Sequence, residues 1–377
     1  MQKLRRWAAA ALCGAAFAGS AAAVLAACAV CPGRAWIVRG ALFLQDPAAA
    51  AAIAWPADAA RAAYKPQKPD RRPTPVPTAT PSPAPTAAAT PTPEPSPAST
   101  PLPSAAPELD DAGRIRSVTL RQGSGDGYVA LAAGSIRNST EHTDADLRAA
   151  VTTQNLPFAV EKNSALPQVL IMHTHATESY EGYDSEYCDT RNTWRSTDNN
   201  ENMVAVGNVI EEELRKAGIG VVHDTQQFDY PSYNGSYDRA AVAVKEYQAQ
   251  YPDIQLILDV HRDGIQRDTT TIVKPATEID GEPAAQIMIL CGSDPGVGDW
   301  GENLRPAAAV TNLLESRYPT LTRPIYFSTG RYNMNLSGGT ILLEFGSQAN
   351  TLEEALTSAR LTGQALGEWL QELAGNA

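Results

Sequence analysis

From residue 168 onward, short apolar runs alternate along the chain with segments in which apolar residues recur at helical spacing. The runs have the length and composition of buried strands, and several of them end abruptly in polar residues. The clearest examples are QVLIMHTH at 168–175 and IQLILDVH at 254–261. The remaining predicted strands are residues 219–223, 285–292, 324–328 and 340–346.

Helices are predicted between these strands and at the end of the chain. Residues 201–217 place apolar side chains on one helical face, at Met203, Val206, Ile210 and Leu214. The other predicted helices are residues 237–250, 302–317 and 351–373. Thr351 and Glu354 have the spacing of a capping box, which fixes the start of the last helix.

This alternation predicts an α/β fold with a mixed, largely parallel sheet flanked by helices. Residues 114–160 add short strand candidates before the first long strand, and the predicted domain covers residues 113–377. In such sheets, ligands bind beyond the carboxyl ends of the strands. The side chains that follow each strand are therefore the first candidates for chemistry.

Residues 1–30 combine a basic flank with an apolar, alanine-rich segment. Lys3, Arg5 and Arg6 precede about twenty residues without a charge, which is long enough to cross a bilayer with the basic end in the cytoplasm. We predict a single-pass membrane anchor. Two alternatives stay open: a cleaved signal peptide, and a lipoprotein signal in which LAAC ends at a lipidated Cys28. Each alternative places the rest of the protein outside the cytoplasm.

A juxtamembrane segment, residues 31–64, leads to a low-complexity stretch at 65–107 that is rich in Pro, Thr and Ala. Repeated proline prevents helix and sheet hydrogen bonding and favours extended polyproline II. We predict a disordered linker whose reach, at about 3.1 Å per residue, is on the order of 100 Å. Such a spacer suits an enzyme whose substrate begins some distance from its own membrane.

Charge and cysteine content exclude several classes of protein. The formal net charge is −12, which argues against nucleic-acid binding because that function requires a basic surface. Only Cys188 and Cys291 lie in the predicted domain, so one disulfide is possible but a disulfide framework is not. A serine or cysteine hydrolase fits poorly, since the chain has no G-x-S-x-G motif and no base placed beside either cysteine.

Three predicted strands end in side chains that bind metals or transfer protons. These are His173 and His175 on the first strand, His261 on the third and Glu344 on the last. An apolar strand end is an unfavourable place for a charge without a role. Two histidines and a carboxylate are the ligands of a catalytic zinc, and a further carboxylate serves as general base and acid. We therefore predict a zinc-dependent hydrolase.

Five segments, taken in order, resemble the stage II sporulation protein P family. They are LIMHTHATESY, STDNNENMVAVGNVI, DYPSYNGSYDRAAVAV, LILDVHRDG and RYNMNLSGGTILLEFGSQANTLEEAL. The likeness covers residues 113–377, and the anchor and spacer fit the family as well. That family belongs to the zinc-dependent N-acetylmuramoyl-L-alanine amidases, so the resemblance implies the fold of a zinc amidase.

The resemblance also implies roles for particular residues. His175 and His261 match the histidines that bind zinc, and Glu344 in LLEFG matches the catalytic glutamate. When ENMVAVG is superposed on the start of the amidase helix, Asp198 takes the position of the third zinc ligand. Glu201, one helical turn away, is the alternative ligand.

Four further residues are candidates because they lie beside the implied ligands. His173 and Glu178 would support the ligands or contact the substrate. Arg262 and Asp263 follow the second histidine directly; one of them would bind substrate and the other would orient the imidazole.

The implied activity is peptidoglycan hydrolysis, by cleavage of the amide between N-acetylmuramic acid and L-alanine and of peptide cross-links. The protein would act in the septal space between mother cell and forespore during engulfment. The implied partners are peptidoglycan, the membrane, and stage II sporulation proteins D, M and Q. The alternative is a non-catalytic cell-wall binding or scaffold protein with a hydrolase-like fold, which the retention of Glu344 beside the histidines argues against.

Overall fold

The structure is a computed structural model that describes residues 112–152, 155–161, 164 and 166–375. The predicted anchor at 1–30, the juxtamembrane segment at 31–64 and the linker at 65–107 lie outside the described residues. Within the described ranges, none of the helices combines the length and the apolar character needed to span a bilayer. The account of the fold therefore concerns the C-terminal domain.

Twelve strands are present in the described part of the chain. They are β1 Ala112–Val118, β2 Tyr128–Ala130, β3 Ser135–Asn138, β4 Val169–Met172, β5 Tyr187–Asp189, β6 Val221–His223, β7 Leu256–Asp263, β8 Thr271–Ile279, β9 Glu282–Ala285, β10 Ile287–Gly292, β11 Ile325–Ser328 and β12 Thr340–Ser347. All six strands predicted from residue 168 onward are among them. Four are shorter than predicted, whereas β7 continues to Asp263 and β12 to Ser347.

Eight of these strands form the main sheet, in the order β2-β3-β11-β10-β12-β7-β4-β6. Neighbouring strands are parallel except at β2–β3 and β10–β12. The prediction of a mixed, largely parallel sheet is therefore confirmed. In its centre, β7 lies between β12 and β4, so the three strands that carry the candidate residues are direct neighbours.

A second sheet, in the order β5-β1-β8-β9, was not predicted. The hairpin β8–β9 turns through Asp280 and Gly281, which both have left-handed backbones with φ of 53° and 86°. Asp-Gly is a preferred pair for such two-residue turns. Strand β8 alternates buried and exposed positions and contains a lysine and a proline, so it lacks the continuous apolar run that revealed the central strands.

Five α-helices and a short 3₁₀ helix, Met334–Leu336, complete the described domain. The α-helices are α1 Asp144–Thr152, α2 Met203–Lys216, α3 Ser236–Gln250, α4 Gly301–Arg317 and α5 Leu352–Gly375. The last four confirm the predicted helices, and the capping box of α5 is formed, with Thr351 N donating to Glu354 Oε2 and Glu354 N to Thr351 Oγ1.

Both faces of the main sheet are covered, and β4 shows how. Val169 and Ile171 pack into the large core that contains α2, α4 and α5, whereas Leu170 and Met172 pack against α3 on the opposite face. Successive side chains of a strand point to opposite faces, so an all-apolar strand such as β4 requires cover on both sides. Cys188 and Cys291 are buried and free, so the possible disulfide is not formed.

Candidate active site

The register of the central strands brings the predicted chemistry to one face of the sheet. Glu344 on β12 is the direct partner of His261 on β7, and Leu342 pairs with Asp259 two residues earlier along both strands. In a parallel pair, aligned residues point to the same face, which here is the face covered by α3. On the other side of β7, strand β4 ends at Met172, and His173 and His175 follow it directly.

His261 lies between two buried carboxylates. Its Nδ1 is 3.4 Å from Glu178 Oε2 and its Nε2 is 2.8 Å from Asp259 Oδ1. The second contact is an ion-pair distance without the direction of a hydrogen bond, so Nε2 has no hydrogen-bond partner. Burial alone lowers the pKa of His261, but the two carboxylates outweigh it and raise the pKa well above its ordinary value. The two carboxylates therefore favour the protonated imidazolium form of His261.

Besides His261, two groups hold Glu178 at this position. Its Oε2 accepts a hydrogen bond from Arg262 N at 3.3 Å, and its Oε1 is 3.6 Å from Arg195 Nη2. Burial raises the pKa of Glu178, but His261 and Arg262 outweigh that effect and lower the pKa to about 2. Glu178 is a carboxylate at all physiological pH values, in contact with the histidine predicted to bind a metal.

His175 faces the same space from the end of β4. Its ring centroid is 5.3 Å from that of His261, and its Nδ1 is 3.3 Å from Ser236 Oγ at the start of α3. Tyr233 stacks on the imidazole at 4.4 Å, and Tyr237 meets it edge-on at 5.4 Å. Burial, and then the positive charge of His261, lower the pKa of His175 to about 4, so this imidazole is neutral and able to bind a metal.

Glu344 has the raised pKa expected of a group that transfers protons. The residue is partly exposed, but its Oε2 is enclosed and has no hydrogen-bond partner. Burial, and then the charge of Asp263, raise the pKa of Glu344 to about 8, against a lowering effect of His261. A carboxyl group that titrates near neutrality can both take up and release a proton at working pH.

His173 does not face this space. Its Nδ1 is 3.0 Å from the carbonyl oxygen of Val260, and its Nε2 is 2.8 Å from Nε2 of His223. His223 in turn contacts Glu211 Oε2 at 3.1 Å. The chain of contacts links the end of β4 to α2 and fixes the backbone next to His261. Of the two predicted roles for His173, support for a ligand matches these contacts, and a substrate contact does not.

Asp198 and Glu201 are not brought to the cluster. Both are exposed, in the turn before α2. The Asp198 carboxylate accepts hydrogen bonds from the backbone and side chain of Asn200, and Glu201 accepts one from Ser196. Helix α2 is capped by Asn202, whose side chain accepts from Val204 N, so this turn uses its polar groups for local structure. The carboxylates that contact His261 are Glu178 and Asp259 instead.

Arg262 and Asp263 contact neither imidazole with their side chains. The guanidinium of Arg262 donates to the backbone carbonyls of Ser179 and Trp194, which ties the loop after β4 to β7. Asp263 pairs with buried Arg323 at 2.9 Å. Asp263 acts on the site through its charge, which raises the pKa of Glu344. Substrate binding or imidazole orientation by either residue stays a prediction.

Sequence reasoning missed Asp259, Tyr233 and Tyr237. Asp259 is 2 % exposed, and its two oxygens accept hydrogen bonds from the backbone and hydroxyl of Thr174. The signal was present in LDVH, because residues two apart on a strand share a face and Asp259 must therefore point the same way as His261. The two tyrosines lie in a loop and at a helix start, where no periodicity fixes side-chain direction.

The donor types at this centre fit a zinc ion. Zinc binds imidazole nitrogen and carboxylate oxygen, which His175, His261 and Glu178 provide. His261 Nε2 and Glu344 Oε2 are enclosed without partners, and such atoms are unfavourable unless something satisfies them. Across the described ranges, no group of three His, Cys, Asp or Glu side chains is already arranged to hold an ion. The centre therefore provides the donor types of a zinc site without a preformed coordination shell.

Fold and site together define a mixed α/β protein with a buried histidine–carboxylate centre at the carboxyl ends of its central strands. The model of the family described as Stage II sporulation protein P (SpoIIP) matches residues 130–367, more than half of the chain. The protein belongs to that family. Stage II sporulation protein P of Bacillus subtilis (strain 168) is 29 % identical over 212 residues. The match covers 53 % of this chain and about half, 50 %, of the relative's length.

Solved structures of amidases are also similar, at low identity. The apo N-acetylmuramyl-L-alanine amidase from Mycobacterium abscessus shares 13 % identity at a TM-score of 0.33, over 54 % of this chain and 98 % of that one. The CwlD amidase from Clostridioides difficile, in complex with the GerS lipoprotein, shares 10 % at a TM-score of 0.31, over 56 % and 100 %. At such low scores, the function of this chain does not follow from them.

Proposed function

We propose that the protein is a zinc-dependent peptidoglycan hydrolase that acts in sporulation. Its reaction would be cleavage of the amide between N-acetylmuramic acid and L-alanine, together with cleavage of peptide cross-links. The observation that carries the proposal is the buried centre in which Glu344, with its unpartnered Oε2, stands beside His261 and shares the face with His175. Membership of the stage II sporulation protein P family supports the same substrate.

His175, His261 and Glu178 would hold the zinc. Asp198 and its alternative Glu201, the third ligands predicted from the sequence, are exposed in the turn before α2. Zinc would supply Lewis-acid chemistry, since it polarises a carbonyl group and makes water more acidic. Asp259 would keep His261 in place through its own hydrogen bonds to Thr174. Support of this kind around metal-binding histidines typically contributes about 10–100-fold to metal affinity or activity.

Glu344 would carry the proton. As the water oxygen bonds to the amide carbon, Oε2 of Glu344 accepts the water proton, and the same oxygen then passes it to the leaving nitrogen as the carbon–nitrogen bond breaks. Two features support this role. The pKa of about 8 permits both directions of transfer near neutral pH, and Oε2 has no competing hydrogen bond.

The same proposal includes the place of action and the partners. The basic flank and apolar segment at 1–30 support a membrane anchor, and the proline-rich residues 65–107 support a spacer that carries the domain to the wall outside the cytoplasm. Stage II sporulation proteins D, M and Q are the proposed protein partners, and the septal space during engulfment is the proposed compartment.

Digestion of purified sacculi by the full chain tests this function. We expect release of stem peptides that carry a new L-alanine amino terminus, loss of release after zinc chelation, and recovery when zinc is restored. Mass spectrometry of the products would separate amidase from cross-link endopeptidase activity. A protein that binds sacculi and releases no peptide, with zinc and with its glycan-cleaving partner present, would favour the scaffold alternative.

A further inference from the structure

A cavity of about 510 Å³ opens beside the active site. Residues of α3 form one wall, and the loop after β11 forms the other. The volume lies in the range that holds a small ligand or a few residues of a peptide. None of the roles proposed above uses it. The residues that matter here are Tyr237, Asp238 and Lys245 on α3, and Arg331, Tyr332 and Asn333 on the loop.

Tyr237 joins the cavity to the catalytic centre. One edge of its ring meets His175, with ring centroids 5.4 Å apart, and it also lines the cavity. Tyr332 faces it from the loop, with the two ring centroids 6.1 Å apart. A small inner void behind the cavity is lined by Tyr332, Asn333 and Asp259, the carboxylate next to His261. Tyr237 is therefore a wall shared by the cavity and the catalytic centre, and a substrate bound at His175 would reach the cavity past this ring.

The loop wall is held in an unusual backbone conformation. Tyr332 and Asn333 are consecutive residues with left-handed φ of 49° and 56°. Asparagine tolerates this region but tyrosine seldom adopts it, and such conformations persist where the surrounding structure enforces them, often at ligand sites. The Asn333 side chain donates to the backbone oxygen of Tyr237 at 2.8 Å, and the Tyr332 hydroxyl lies 3.0 Å from Ser328 Oγ.

The same wall depends on a glycine for the placement of the tyrosine ring. A Cβ on Gly330 would lie 2.2 Å from Cζ of Tyr332, so only glycine allows the ring to lie there. The ring position is thus fixed by a hydroxyl contact, a missing Cβ and an enforced backbone. These features describe a preformed wall.

The charges in the cavity point to its ligand. Arg331 is paired with Asp294 at 2.7 Å, but the side chains of Asp238 and Lys245 form no ion pair or hydrogen bond with any described residue. They lie seven residues apart on α3, about 10 Å along the helix axis, and both line the cavity. One unpaired anion and one unpaired cation suit a ligand that carries both an amine and a carboxylate at a similar separation.

We propose that this cavity binds the charged stem peptide of peptidoglycan, on the peptide side of the scissile amide. Stem peptides carry free carboxylates and, at a diamino acid, an amine, whereas the N-acetylated sugars of the glycan are uncharged. Lys245 binds a peptide carboxylate, Asp238 binds the amine, and Tyr237 and Tyr332 pack against the backbone between them. The inference rests on the proposed hydrolase function and assigns the part of the substrate that enters the cavity.

Equilibrium binding tests the inference without requiring turnover. The probe is a synthetic stem peptide with free carboxylates and one free side-chain amine, titrated calorimetrically into the full chain. We expect Asp238→Asn and Lys245→Met each to raise Kd about three- to fivefold, the range of an exposed ion pair. Both residues are exposed, so the variants should fold like the wild type. Lys216→Met removes an exposed lysine on α2 and should leave Kd unchanged.

Two results would overturn the subsite. One is binding of the stem peptide that neither Asp238→Asn nor Lys245→Met weakens, or no binding at all. The other is binding of an N-acetylglucosamine tetramer to the wild type that is lost in the Lys245→Met variant, which would assign the cavity to the glycan. Digestion of sacculi in parallel keeps the two proposals apart. A wild type that digests sacculi but does not bind the peptide contradicts only the subsite, and one that binds the peptide as expected but never digests sacculi contradicts only the hydrolase function.

Discussion

At the scale of single residues, the central feature is the competition for His261. Its two nitrogens face Asp259 and Glu178, and both carboxylates favour a proton on the ring. A metal ligand must be a neutral imidazole, so metal binding has to release that proton. A carboxylate freed from the imidazolium is then available as a ligand. Asp259 is the closer of the two to His261, but its oxygens accept hydrogen bonds from Thr174, whereas Glu178 acts more strongly on His175.

This arrangement favours Glu178 over Asp198 as the third zinc ligand, and two variants test the choice. Glu178→Gln should reduce the zinc content of the purified protein strongly, because it removes a buried donor in contact with His261. Asp198→Asn should leave zinc near one ion per chain, because Asp198 is exposed and bonded to Asn200. Elemental analysis of both variants gives the answer. Loss of zinc in the Asp198 variant alone would show that the turn before α2 moves inward when metal binds.

Part of this site was predictable from single residues, and part was not. The strand-end pattern predicted that His175, His261 and Glu344 lie close together, because the carboxyl ends of neighbouring parallel strands meet at one edge of the sheet, and the structure has them there. Their roles stay predictions. Glu178 lies in a turn that starts at the end of β4, and only the folded path of that turn shows which way its carboxylate points. Asp198 was placed by alignment to a helix start, which says nothing about how the preceding turn uses its side chains.

At the scale of elements, the support of the site runs through α2 and the strands beneath it. Gly207 on α2 lies against the His173 and His223 rings, and a Cβ there would be 2.7 Å from both. The missing side chain lets the helix approach β4 closely enough for the two imidazoles to meet. The Val260 carbonyl, fixed by His173, directly precedes His261, so this packing sets the position of a predicted metal ligand.

Gly207→Ala should therefore destabilise the domain by about 1–3 kcal/mol, the usual cost of overpacking a filled interior. Denaturant unfolding of the two proteins measures the difference. Gly182→Ala is the matched control, because a Cβ at that exposed position meets nothing within 4 Å, and a change within about 0.5 kcal/mol is expected there. Equal stability of the Gly207 variant and the wild type would mean that the two rings move apart without loss.

Elements with a continuous apolar run were predictable, and elements without one were not. Strands β4, β7, β10 and β12 are buried on both faces, so each contains an uninterrupted run of three or more apolar residues that is easily recognised. Strands β8 and β9 belong to a partly exposed sheet and mix apolar, polar and proline residues. Their Asp-Gly turn was the one local signal, and a turn alone does not reveal which strands it joins.

At the scale of the whole molecule, the proposed function combines a predicted membrane anchor at 1–30, a predicted linker at 65–107 and a domain with a proposed hydrolytic centre. The acidic chain, with net charge −12, has no general electrostatic attraction for the anionic wall or for nucleic acid, so recognition must come from specific contacts. The active-site face and the adjoining cavity supply such contacts. The central claim is that this centre cleaves peptidoglycan with Glu344 as the proton carrier.

The most direct test is peptide release from purified sacculi by Glu344→Gln. Glutamine keeps the size of the side chain but cannot accept the water proton, so release should fall by about 10²–10⁴-fold. Zinc content, thermal stability and sacculus binding should remain like those of the wild type. Glu246→Gln, at an exposed position on α3, should release peptides at the wild-type rate. Wild-type release by Glu344→Gln would remove Glu344 from the reaction and contradict the proposed mechanism.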